Sequence, residues 1–364
     1  YVSIKGARKR DHPLSFSYHE PWWHAYPVLA DYFARLSVAM SSGVQKNRIL
    51  VIEPTTSAWM YYSPAASSDR LESLGKEFQN FVHDLEAEQI EYDLGSEEIL
   101  LKHGSVDNNK LAVGACSYDL IVLPPGIGNL NSNTIMLLEK FLAENGKIIC
   151  WKKAPEYING MQSDRVTELA SQYGSNWVQV DSEDGWNKIR DFCPQGIVFH
   201  ADVENQGRLF HHRRQLQDAE LIFLVNSSSQ EEYRGYFNAE GRSCEHWDPF
   251  SGRVTPYPFE KIDGQLKIDF MLPPGGSLLL CLRPVETENI ISKEQEKRIE
   301  ISAYSELTIQ AISPNILTLD YCDLSLSARW IKDLYFYEAQ EKICLLYTSP
   351  SPRDRTRSRM PSSA

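Results

Sequence analysis

The sequence predicts a multidomain protein that combines an α/β part with an all-β part. From about residue 48 to 190, short continuous apolar runs alternate with helical stretches, the pattern of βαβ units around a parallel sheet with helices on both faces. From about 191 to 286, short strands follow one another across Gly and Pro turn signals, which predicts an antiparallel β-sandwich. The chain has 364 residues, more than one ordinary domain and enough for about two to four.

The elements follow in order. Asp31 to Ser41 sets Tyr32, Phe33, Leu36, Val38, Ala39 and Met40 at helical spacing and ends at Gly43. Arg48-Ile49-Leu50-Val51-Ile52-Glu53-Pro54 is a continuous apolar run, as a buried parallel strand requires. Asp69 to Glu88 carries Leu71, Leu74, Phe78, Phe81, Val82 and Leu85 on one helical face. A short strand is expected at Ile90–Asp93, a short helix or turn at Glu97–His103 and a strand at Leu111–Val113. Tyr118 to Gly126 reads as a second buried strand ending in a turn. Asn133–Glu144 reads as a helix capped near Ser132 or Asn133 and closed by Gly146. Lys147–Trp151 is a third strand, and Asp164–Tyr173 a further helix.

Beyond 191, strands are expected at Gly196–His200, Leu221–Asn226, Gly235–Phe237, Cys244–Asp248, Gly252–Val254 and Leu278–Leu282. Ile299–Ile301, Leu307–Ile309 and Asn315–Tyr321 open another β-domain over 287–343. The last 21 residues, 344–364, turn abruptly to Ser, Pro and Arg. They resemble the translation of a sequencing adaptor and are set apart as a disordered scar. With Tyr1 in place of an initiator Met, the chain reads as a fragment artificial at both ends.

Composition narrows the partners. A net charge of −12 argues against nucleic acid or an anionic membrane. No apolar run approaches the roughly 20 residues of a membrane helix. Cysteines at 116, 150, 193, 244, 281, 322 and 344 form no CxxC or zinc spacing, and most sit in apolar strand-like runs as buried thiols.

Ligands of open α/β sheets bind at the carboxyl ends of the strands. Here those ends are Glu53-Pro54-Thr55-Thr56-Ser57-Ala58-Trp59 and Pro124-Pro125-Gly126-Ile127-Gly128. The second lacks both GxGxxG and the Walker pattern. An amidotransferase would need a cysteine on a turn after a strand, and Cys116 precedes one. The α/β domain is therefore expected to be non-catalytic.

The densest chemistry lies at the start. Lys5 to Pro13, followed by Ser17-Tyr18-His19-Glu20-Pro21-Trp22-Trp23, mixes cations, acids, histidines and paired tryptophans. Such rings can cover the C–H faces of a sugar while polar groups bond its hydroxyls. The competing reading is a loop of internally paired charges whose tryptophans plug a core. Glycoside hydrolysis needs two carboxylates. Asp11, after Arg8-Lys9-Arg10, reads as an ion-pair partner. Glu20 reads as a ligand for hydroxyls or a cation. His211-His212-Arg213-Arg214 reads as a solvated or ion-paired strand edge, with a substrate contact as the alternative. Adjacent histidines on a strand face opposite ways and cannot easily share one metal. Trp247 to Gly252 reads as a turn capped by Asp248.

Taken in order, GARKRDHPLSFSYHEPWW, DYFARLSVAMSSG, ILVIEPTTSAWMYYSP, YDLGSEEILLKHG, YDLIVLPP, FLVNSS, EHWDPFSG, LPPGGSLLL and LTLDYCDL resemble segments of glycoside hydrolase family 106, the α-L-rhamnosidase type. The resemblance covers residues 1 to about 343. It implies the end of a catalytic (β/α)8 barrel over 1–47, a flavodoxin- or amidotransferase-like accessory domain over 48–190, a β-sandwich over 191–286 and the start of a sugar-binding β-sandwich over 287–343. It implies an inverting hydrolase with two glutamates upstream of Tyr1 and a calcium ion whose ligands cannot be identified here. The fragment alone is then expected to be inactive. Loops after barrel strands line the active site, so Arg8, Asp11, His12, His19, Glu20, Trp22 and Trp23 are the candidate substrate contacts. The expected ligand is a rhamnose-containing glycan, and the family's polysaccharide substrates place the protein in the periplasm or outside the cell. Two other readings stay open: a non-catalytic carbohydrate-binding or structural module, and an amidotransferase-like or nucleotide-binding enzyme centred on 48–190.

Overall fold

The computed structural model describes residues 23–181, 184–194, 196–201, 207–286, 321–326, 329–335 and 338–343. The chain forms two compact units, one of Val28–Glu296 and one of Tyr1–Pro27 with Lys297–Ala364. In the second, Tyr321–Leu326 and Arg329–Tyr335 pair as an antiparallel hairpin. The strands expected at 299–301, 307–309 and 315–320, and the 344–364 tail, lie outside the described residues.

The first unit begins its α/β lobe with a five-stranded parallel sheet. Its spatial order is Trp177–Val180, Lys147–Trp151, Leu120–Leu123, Ile49–Ile52, Asp93–Gly95. Numbered along the chain this is 2-1-3-4-5, a doubly wound order whose switch point falls between Ile49–Ile52 and Leu120–Leu123. Alternate strand residues divide between two cores. Leu50, Ile52, Ile121, Leu123, Ile148 and Cys150 meet the helices Ser132–Ala143 and Arg165–Gln172. Ile49, Val51, Leu120, Val122, Ile149 and Trp151 meet Asp69–Ala87 and Asp184–Phe192. Both faces are covered, which is why the central strands read as unbroken apolar runs.

Local chemistry fixes the helix ends. The Ser68 hydroxyl accepts the Leu71 N–H at 3.3 Å and caps the first long helix. Ser132–Ala143 is preceded by Asn131 at its N-cap, one or two residues earlier than expected. At its other end Asn145 takes φ +64°, and the Gly146 N–H bonds the Phe141 carbonyl at 2.8 Å. Gly146 is required there because a Cβ would lie 2.5 Å from the Phe141 ring. The strand expected at Ile90–Asp93 is displaced to Asp93–Gly95. A three-stranded meander, Gly104–Asp107, Lys110–Val113 and Cys116–Tyr118, surrounds the single strand expected there. Its first turn holds Asn108 and Asn109 at φ +51° and +63°, the mirror-image turn that tight hairpins favour.

The β-sandwich follows. Its larger sheet runs Val44–Gln45, Leu209–Gln215, Glu220–Asn226, Ser277–Arg283, Ser243–Trp247, Val254–Pro256. Its smaller sheet runs Val198–Ala201, Tyr233–Ala239, Gln265–Leu272, Glu260–Ile262. All pairs are antiparallel. Leu209, Ile222, Leu224, Leu280 and Leu282 face Tyr233, Phe237, Leu266, Ile268, Phe270 and Leu272 across the core. On the other face of the larger sheet, Leu221, Leu279 and Cys281 carry Leu36, Ala39 and Met40 of the helix Tyr26–Ser41. That helix starts five residues before the expected Asp31. It ends at Ser41, two residues before Gly43, whose φ of +63° and approach to the Gln215 carbonyl leave no space for a side chain.

Six cysteines are described and all are free. Cys150, Cys193, Cys244 and Cys281 are buried. Burial pushes the Cys150 thiol up to about 12 and those of Cys193 and Cys281 up to about 11. They are packing residues and not nucleophiles.

Candidate functional site

Most of the residues expected to face a sugar, Arg8, Asp11, His12, His19, Glu20 and Trp22, lie outside the described residues. Trp23 is 41% exposed and meets Tyr26 edge to face at 5.6 Å.

The carboxyl end of the parallel sheet is the other place where a ligand would be sought. The segment after Ile52, expected as a loop, forms the short helix Thr55–Tyr61 behind Pro54. Ser57 points inward and is fully buried. Its hydroxyl accepts the N–H groups of Gly128 and Asn129, both at 3.0 Å, and reaches the Asn129 carbonyl at 3.3 Å. Thr56 donates to Glu97 at 2.5 Å, and the other Glu97 oxygen accepts the Asn131 N–H at 2.6 Å. The Asn129 side chain accepts the Gly160 N–H at 2.8 Å. Gly126 turns at φ +80°, and a Cβ there would lie 2.6 Å from Leu74.

This arrangement fills the switch-point crevice with the chain's own groups. The loop amides that would cradle a phosphate are spent on Ser57. Ser57 is bonded to backbone groups and to no histidine, so no base activates it. Gly126 serves close packing. Only the rim is open: Trp59 is 69% and Tyr62 65% exposed, and Arg70 lies over the Tyr61 ring at 5.7 Å.

Of the His211-His212-Arg213-Arg214 run, expected as a solvated or ion-paired strand edge, Arg213 is buried and ion-paired and the other three are half-buried. The run lies in Leu209–Gln215, second from the sheet's edge, with only Val44–Gln45 outside it. The Arg213 side chain is 4% exposed. It pairs with Glu91 at 2.9 Å and Glu220 at 2.6 Å. His211 lies 3.4 Å from Glu91 and 3.0 Å from the Gln89 side-chain oxygen. Its ion-paired character was legible in the charges; its burial was not, because Glu91 is 122 positions away. Beside it, burial pushes the Asp119 carboxyl up, but Lys110 at 2.9 Å and Arg48 at 2.5 Å outweigh this and hold it below the usual range. The expected turn at Trp247–Gly252 is present. Asp248 accepts from the Phe250 N–H, the Ser251 N–H and the Ser251 hydroxyl, and Gly252 takes φ +71°.

Among the described residues no group of three or more His, Cys, Asp or Glu side chains could hold a metal ion. Among the same residues no helix is long and apolar enough to cross a membrane.

No protein-family model and no curated protein sequence matches the chain. Solved structures do. A rhamnosidase from Novosphingobium sp. PP1Y aligns over 78% of the chain with a TM-score of 0.55 and 16% identity. An exo-carrageenase of family GH42 from Bacteroides ovatus aligns over 65% of the chain, and 29% of its own, with a TM-score of 0.42 and 15% identity. A GH42 β-galactosidase from G. stearothermophilus aligns over 75%, and 45% of its own chain, with a TM-score of 0.46 and 11% identity. The chain spans 27% of the rhamnosidase's length. The fold of this chain is therefore one that a rhamnosidase carries over about a quarter of its length.

Proposed function

We propose that this chain is the accessory portion of a glycoside hydrolase of the α-L-rhamnosidase type, acting on a rhamnose-containing glycan. The observation that carries the reading is the fold likeness to the rhamnosidase over 78% of the chain. The order of motifs from GARKRDHPLSFSYHEPWW onward supports it independently. In this reading Arg8, Asp11, His19, Glu20, Trp22 and Trp23 lie at the substrate, and hydrolysis belongs to the whole protein. The described residues supply framework: a plugged α/β lobe, buried thiols and a closed sandwich core. A calcium ion at the rhamnose, in a periplasmic or extracellular protein, belongs to the same proposal.

The test is hydrolysis of an aryl α-L-rhamnoside. The full-length protein should cleave it, and the present chain alone should show no turnover above background. Full-length protein inert toward every rhamnoside would remove the substrate assignment.

A second reading is a carbohydrate-binding module with no hydrolase attached. The exposed Trp59 and Tyr62 at the rim of the α/β sheet favour it, since such rings can stack on sugar faces. Titration of the present chain with rhamnose-containing oligosaccharide separates the two. Tight binding lost in Trp22→Ala or Trp59→Ala would support the module.

A further inference from the structure

The helix Tyr26–Ser41 packs on Leu221, Leu279 and Cys281 of the larger sheet. Between its second half and the turn Trp247–Gly252 lies a half-open cavity of about 380 Å³. Small-molecule sites run from roughly 300 to 1,000 Å³. Leu221, Leu279 and Ala39, all buried, form its floor, and Trp247 forms part of the wall. Val38 and Val254, 67% and 56% exposed, stand at the mouth. Polar ties set the distance between helix and turn. Arg35 donates to the carbonyls of Pro249 at 2.9 Å and Phe250 at 2.7 Å, and pairs with Asp31 at 3.4 Å. Tyr32 packs on the Phe250 ring at 4.5 Å and bonds Ser277 at 3.0 Å. The cavity is therefore preformed.

Nearly every polar group on that lining already has a partner. The Trp247 indole N–H donates to Glu245 at 3.1 Å, and the Ser42 hydroxyl donates to the Val38 carbonyl at 2.6 Å. Asp248 accepts from the N–H groups of Phe250 and Ser251 and from the Ser251 hydroxyl, so its oxygens serve the turn. Arg35 is matched by its two carbonyls and Asp31. Arg253 is the exception. Its backbone N–H reaches the Ser251 hydroxyl at 3.3 Å and its carbonyl accepts the Asp248 N–H at 2.9 Å. Its guanidinium makes no hydrogen bond or ion pair among the described residues.

We propose that this cavity binds a small organic monoanion, whose compact apolar body, aryl or short acyl, fills the space over Leu221 and Leu279 and whose single carboxylate meets Arg253 at the mouth. Water in the cavity faces carbon on most sides, so an apolar body that displaces it gains by burial. The guanidinium fork matches a carboxylate with two parallel hydrogen bonds. A hydroxyl-rich sugar would find one uncommitted donor and leave its other hydroxyls unpaired, a costly exchange for water. A dianion would need a second uncommitted cation, and Arg35 is already matched. An amine would meet Arg253 as a like charge.

Titration calorimetry of the whole chain at neutral pH tests the site. The probes are 3-phenylpropionate and octanoate, with 3-phenylpropanol and 3-phenylpropylamine as the uncharged and cationic counterparts. At least one acid should bind at a single site, and the two together tell an aryl from an acyl preference. The alcohol should bind about 3- to 5-fold more weakly than its acid, the worth of one exposed ion pair, and the amine more weakly still. Arg253→Gln should lower the acid to the affinity of the alcohol and leave the alcohol unchanged. Val254→Asp, at an exposed edge position, should weaken the acid by adding a like charge at the mouth. The proposal is overturned if neither acid binds at millimolar concentration, if the alcohol or the amine binds as tightly as the acid, or if both variants bind the acid unchanged. Binding of L-rhamnose that Arg253→Gln abolishes would give the cavity to a sugar, and self-association that Val254→Asp abolishes would give it to a second copy; either result also overturns the proposal. The comparison of acid, alcohol and amine on the unmodified chain decides the charge preference even where a variant fails to fold.

Discussion

Phe237→Ala should destabilise the chain by about 3–5 kcal/mol. Phe237 is fully buried on the central strand Tyr233–Ala239 of the smaller sheet. Its ring meets Phe199 at 5.5 Å and Phe270 at 6.2 Å. Truncation removes both ring contacts and leaves a cavity bounded by two rigid sheets, which cannot collapse far. Against a total stability of roughly 5–15 kcal/mol, that loss is decisive. In a unit of this size it lowers the melting temperature by roughly 6–20 °C. Thermal and urea unfolding followed by circular dichroism give the number. Phe237→Leu retains most of the volume and should cost clearly less. A loss below about 1 kcal/mol for the alanine variant would mean that the two sheets do not close over Phe237 as described.

The centre of the α/β layer was legible in the sequence, but that core only in part: Gln265–Leu272, which supplies Phe270, Leu266, Ile268 and Leu272, was not among the expected strands, and neither was the edge strand Trp177–Val180. Lys147–Trp151 and Glu97–His103 fall where their residues predict, because their patterns are unbroken and their ends are marked. Two helices were not legible. Five of the seven residues of Thr55–Tyr61 are Thr, Ser, Trp or Tyr, all modest helix formers, and the segment reads as a loop. Its stability comes from Thr56 and Ser57 meeting groups 41 to 73 positions away. Asp184–Phe192 carries Gly185 at its second position. The reason is tertiary: a Cβ at Gly185 would lie 2.3 Å from the Trp151 ring, so only glycine lets the helix dock there. The Arg213 cluster was hidden for the same reason. Charges in a run look solvated until the carboxylates that bury them are brought in by the fold.

Ser57→Ala should cost about 2–4 kcal/mol, although it removes a single oxygen. The loss is two acceptor contacts, which orphans the N–H groups of Gly128 and Asn129. Each buried, unsatisfied donor costs roughly 1–3 kcal/mol. Asn129 is itself 3% exposed, so water reaches its amide poorly. The measurement also tells whether the crevice is a site. If the loop amides belonged to a phosphate-bearing ligand, inorganic phosphate would stabilise the unmodified chain, and removing Ser57 would leave the ligand free to take its place. The filled crevice predicts otherwise. Millimolar phosphate should leave the melting temperature of the unmodified chain unchanged against a salt control of equal ionic strength. Ser57→Ala should melt lower, and phosphate should not restore it. Specific stabilisation of either form by phosphate would reopen the α/β lobe as a ligand-binding domain. Its absence would leave the crevice a packed part of the lobe and not a phosphate site.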